Sequence, residues 1–166
     1  MASPDHLASL VRGLRDPDGH ARGRAAESLL KLRDPAATPL LIETLDSDDE
    51  GARRLAVRIL GEGGDASAGD ALMGVLRNPA DPIAREAAVA LGTLKVAGAA
   101  EALLGALQNR SSGVRTVAAW ALGDIGDQRS VRALNQALGR LCRRSPARGV
   151  GPQANSKAVS RQSSLC

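Results

Sequence analysis

The stretch Val114-Arg115-Thr116-Val117-Ala118-Ala119-Trp120-Ala121-Leu122-Gly123-Asp124-Ile125-Gly126-Asp127, continuing through Val131, Leu134 and Leu138, decides the architecture. Val114, Ala118, Ala121, Leu122 and Ile125 fall on one face of a helix. Gly126 marks a turn, and Val131, Leu134 and Leu138 open a second apolar helical face. The pattern recurs at every step of 31 residues, without a gap. Leu138 leads back to Leu107, Leu76, Leu45 and Leu14, and Leu134 to Leu103, Leu72, Leu41 and Leu10. Gly123 leads to Gly92 and Gly61, and Val114 to Ile83, Ala52 and Ala21. A helix pair of this length cannot bury its apolar face alone, so successive pairs must stack. The expected fold is all-α: a right-handed α-α superhelix, an armadillo-type solenoid of about 4.5 helical hairpins.

The period places four repeats at 16–46, 47–77, 78–108 and 109–142, with a half repeat of the second-helix type at 1–15. First helices are expected at about 19–32, 50–61, 82–94 and 113–125, and second helices at about 36–46, 67–77, 99–108 and 130–141. Asp81-Pro82 reads as a cap followed by proline at the first helical position. Gly61, Gly63, Gly64 and Gly126 read as stops that tolerate positive φ. Residues 143–166 are rich in Ser, Gly, Pro and Arg and should form a disordered basic tail.

Composition narrows the function. The chain of 166 residues has one tryptophan, no phenylalanine and no tyrosine, so its core must be alanine and leucine. That suits closely stacked helices. No apolar run is long enough for a membrane span, and the first residues lack the pattern of a secretory signal. Cys142 and Cys166 form no disulfide framework, which points to a reducing, cytoplasmic setting. The net charge of +4 is uneven: residues 143–166 hold five basic and no acidic residues, leaving 17 basic against 18 acidic elsewhere. A repeat region so nearly neutral argues against a nucleic-acid groove. The second helices carry Glu43, Asp70, Glu101, Arg132, Gln136 and Arg140, mixed in sign rather than basic throughout.

Two charged columns accompany the leucines: Arg22, Arg53, Ala84, Arg115, and twelve residues later Asp34, Asp65, Val96, Asp127. Both lose their charge in the same repeat. The expectation is that Arg and Asp of one repeat meet as a structural pair. A third column, Val11, Ile42, Met73, Leu104, Asn135, turns polar in the last repeat, as an outermost face would. Trp120 falls off the core face, either as an interface anchor or as cover for the end of the array.

The motif quoted above closely resembles the short HEAT-like repeat named after phycobilisome lyases, over about residues 4–141. The resemblance implies an interaction scaffold, with two alternatives: a bilin lyase or chaperone-like relative, and a relative of deoxyhypusine hydroxylase. That hydroxylase holds iron with His-Glu pairs, whereas here His6 is followed by Leu7 and His20 by Ala21. No phosphate loop, metal-ligand spacing or catalytic triad appears in the sequence, so no cofactor, metal or catalytic residue is expected. The expectation is a monomer that binds another protein on its concave face through Glu43, Asp70, Glu101, Arg132 and Gln136, with Trp120 as an outlying candidate.

Overall fold

The computed structural model describes residues 2–78, 80–126 and 131. These form eight α-helices and no strand. The helices are α1 (Pro4–Gly13), α2 (Gly19–Leu32), α3 (Thr38–Thr44), α4 (Glu50–Gly63), α5 (Gly69–Arg77), α6 (Ala84–Thr93), α7 (Ala100–Ala106) and α8 (Ser112–Ile125). The expected second helix at 130–141, the residues Asp127, Arg132, Asn135 and Gln136, and the tail lie outside the described residues.

The first helices α2, α4, α6 and α8 pack side by side in one row. In the other row α1 packs on α3, and α5 on α7. The principal contacts between rows join α1 to α2, α3 to α4, α5 to α6 and α7 to α8. Each closely packed pair therefore straddles a boundary between sequence repeats, with the polar turn as its connection. Leu7, Leu14, Leu41, Leu72, Leu91, Leu103 and Leu122 fill the space between the rows, all buried. Alanines at 25, 26, 56, 87, 88 and 118 are also buried and let the helices approach.

Polar turns start the helices as anticipated. Asp18 accepts from the backbone N–H groups of His20 and Ala21, and Asp49 from Ala52, each supplying an orphan donor with a partner. Asp81 departs from the expectation. Its carboxylate accepts from the N–H of Ile83 at 3.0 Å, but residues 82–83 remain a turn and α6 starts only at Ala84.

At the ends of the first helices the left-handed residue is Arg33, Gly64, Lys95 or Gly126, one column at the 31-residue period. Gly64 and Gly126 are stops of the expected kind. Gly61 and Gly63 are not: both lie inside α4, and Gly61 is buried. A methyl group on Gly61 would lie 2.7 Å from the Cβ of Ala90 and 3.0 Å from its Cα. Gly92 repeats this contact, 2.8 Å from the Cβ of Ala121. This glycine column allows one first helix to lie directly against the next.

The second helices α3, α5 and α7 are each entered through a short 3-10 turn, at Pro35–Ala37, Ala66–Ala68 and Ala97–Ala99. Asp34 and Asp65 cap the first two by accepting from the N–H groups of Ala36 and Ser67.

Candidate interaction surface

The charged columns do not pair as expected. Among the described residues no ion pair joins Arg22 to Asp34 or Arg53 to Asp65. The arginines turn back to the start of their own helices. Arg22 Nη1 donates to the carbonyls of Asp16 at 2.7 Å and Pro17 at 3.3 Å. Arg115 Nη1 donates in the same way to Asn109 and Arg110, each at 2.9 Å. These carbonyls belong to the turn between the preceding second helix and the arginine's own helix, so the arginine braces that turn. Arg53 instead faces the next repeat, 3.6 Å from Asp81.

The aspartates work between repeats. Asp34 accepts from the backbone N–H of Ala2 at 2.9 Å. Asp65 accepts from the Thr38 hydroxyl at 2.7 Å, 27 residues earlier. Donated hydrogen bonds favour the charged carboxylate. Asp34 is held below the ordinary carboxylate range first by Ala2 and then by Ala36, and Asp65 first by Thr38 and then by Ser67. One repeat later, the place of Thr38 is taken by Gly69 and that of Asp65 by Val96. A methyl on Gly69 would lie 2.9 Å from Val96 Cγ1. A polar pair has been exchanged for an apolar contact of complementary size. That exchange explains the loss of the aspartate in this repeat. Ala84, which replaces the arginine, is itself buried.

With these columns assigned to the frame, Glu43 on α3, Asp70 on α5 and Glu101 on α7 are exposed and enter no ion pair among the described residues. They fall in two columns four residues apart, hence on one helix face: Pro39, Asp70 and Glu101, and Glu43, Gly74 and Gly105. Every member is exposed. Gly74 and Gly105 sit within helices with nothing within 4 Å of where a Cβ would be. Glycine costs a helix interior about 1 kcal/mol relative to alanine, and no packing demand accounts for either residue. Trp120 is not on this face. It lies on α8 in the other row, 50% exposed, with Cζ3 2.9 Å from where a Gly92 Cβ would be. Val89, one period earlier on α6, occupies the same place as Trp120 and is also exposed.

The described residues hold no group of three or more His, Cys, Asp or Glu able to bind a metal. None of their helices is long and apolar enough to cross a membrane. Concavities among the described residues are open to solvent, such as one of about 460 Å³ lined in part by Leu76, Arg77, Glu101, Ala102, Gly105 and Ala106.

The profile of HEAT repeats matches residues 7–92 and 84–144. The chain belongs to the HEAT-repeat family. Among solved structures, this HEAT-repeat chain is similar to one in the complex of CpcE and CpcF of phycocyanin lyase from Nostoc sp. PCC7120. The two share 23% identity and superpose with a TM-score of 0.72 over 87% of this chain and 92% of that one. An engineered protein is similar at 26% identity and a TM-score of 0.56, over 79% of this chain and 69% of that one. No curated protein matches the sequence. The likeness to the lyase chain shows the solenoid fold.

Proposed function

We propose that this HEAT-repeat protein is a non-catalytic adaptor that binds another protein on the exposed face of its second helices. The observation that carries the reading is the pair of columns through Glu43, Asp70, Gly74, Glu101 and Gly105. Among the described residues the charges there enter no ion pair, and the glycines have no neighbour to accommodate. A glycine on a helix surface lets another chain come close to the backbone. Carboxylates on either side would orient that chain electrostatically. Arg132 and Gln136 extend the same two columns by one repeat.

The test is affinity capture from the native host, with bound proteins identified by mass spectrometry. The variant Glu43→Lys/Asp70→Lys/Glu101→Lys should lose the partner that the wild type retains. Equal recovery by both would refute this face as the binding site. The likeness to a chain of phycocyanin lyase keeps one second reading in view, a lyase-like subunit handling a bilin-bearing protein. A bilin absorption band appearing when the purified protein is mixed with the free pigment would favour it.

A further inference from the structure

One rule joins the first helices at two places. Gly61 receives Ala90 and Gly92 receives Ala121, each in contact too tight for a Cβ on the glycine. Gly123 stands at the same place on α8, exposed, with none of the described residues within 4 Å of where its Cβ would be. An ion pair accompanies the first of these contacts: Arg53 lies 3.6 Å from Asp81, which opens the turn before α6 and precedes Ala90 by nine residues. Arg115 is the Arg53 equivalent on α8 and is exposed.

The rim of this face changes along the array. Its column reads Glu27, Arg58, Val89, Trp120. Glu27 and Arg58 are exposed and tied into surface ion pairs with Lys31 and Glu62. Val89 and Trp120 are apolar yet remain 36% and 50% exposed. Charge depletion with an exposed tryptophan is the composition of an interface centre. The chain's own sequence, continued in register, would set Arg143 against Arg115 and Pro152 against Gly123. The first is a like charge, and a proline inside a helix removes a hydrogen bond and clashes with the preceding turn.

From this we infer that the lateral face of α8, from Arg115 past Trp120 to Gly123, seats a helix of another protein chain. An acidic residue in the turn before that helix is followed nine positions later by alanine or serine. The acid answers the guanidinium of Arg115, whose Nη1 already holds the carbonyls of Asn109 and Arg110, in the place where Asp81 answers Arg53. The small residue lies on Gly123, as Ala90 lies on Gly61, and the helix flank covers Trp120. This face belongs to the row of first helices, so it is separate from the second-helix face proposed above. Either site can fail without the other.

Trp120 is the only aromatic residue of the chain, so its emission reports on this face alone. The probe is a peptide copying residues 81–96, held helical by a staple on its solvent side. It contains no aromatic residue, and in this protein the same segment already covers the equivalent face of α4. Titrating it into the full chain should give a saturable blue shift of Trp120 emission. Gly123→Leu in the protein should abolish the shift, with unchanged circular dichroism. Ala90→Leu in the probe should abolish it without altering the protein, and Asp81→Asn in the probe should weaken binding several-fold. Absence of a shift, or one that survives both leucine substitutions, would overturn the inference. So would a blue shift growing with the chain's own concentration without probe, because a second copy would then occupy the face.

Discussion

Asp65 shows how one side chain can join two repeats. Its carboxylate accepts the Thr38 hydroxyl from the repeat before and the Ser67 N–H from its own turn. Both bonds favour the ionised form and hold the carboxyl below its ordinary range. A depressed folded-state pKa gives stability that is complete above the unfolded carboxylate value, near 4, and is lost as pH falls through the folded value. Thr38→Val removes the donor while keeping the side chain's size. It should cost about 1.5 kcal/mol at neutral pH, the low end for a hydrogen bond to a charged group because Asp65 keeps some contact with water. Urea melts at a series of pH values should show this gap constant from pH 7 to about 5 and closing as the pH falls through the folded value. A gap that persists in acid would mean that packing, rather than the charged hydrogen bond, is what the hydroxyl provides.

Helices add a rule that no single residue shows. Gly61, Gly92 and Gly123 are the same letter at the same period, yet the first two meet the next helix and the third meets none of the described residues. Alanine should therefore have opposite effects along one column. Gly61→Ala places a methyl against backbone and should destabilise by about 1–3 kcal/mol through overpacking. Gly123→Ala clashes with nothing and gains helix propensity, so it should stabilise by up to about 1 kcal/mol. Thermal melts of the two variants beside the wild type would decide the matter. Equal effects would remove the stacking role assigned to the column.

The whole molecule is a chain of interfaces, and these are not interchangeable. The first and second repeats are joined by Thr38 and Asp65, the second and third by Gly69 and Val96. Gly69→Thr alone should clash with Val96, and Val96→Asp alone should leave a carboxylate without its donor. Together they rebuild the Thr–Asp pair one repeat further on. A double-mutant cycle should return a favourable coupling of roughly 0.5–3 kcal/mol. Simple additivity would show that the two positions do not act as a unit. Stability in such an array is a sum over neighbouring interfaces, so the effect should stay local to the join.

The sequence by itself determined the helical solenoid, its period and the approximate limits of its described helices. Leu72 and Leu103 lie in the core because a 31-residue apolar period admits few other burials. It also marked Glu43, Asp70 and Glu101 as exposed, since they vary where the frame does not. Arg22 and Asp34 were legible as structural but were assigned the wrong partners. Their column spacing records recurrence along the chain, whereas a hydrogen bond depends on which atoms face one another in space. Gly61 was misread for the same reason. A glycine near a helix end looks like a stop until the neighbouring helix is in place, and only then is Ala90 seen to lie where its Cβ would be. Period and polarity are local properties, carried by the chain alone. The choice between Thr38 and Arg53 as the partner of Asp65, and between contact and open space at Gly61 and Gly123, depends on how one repeat sits against the next, which only the tertiary structure decided.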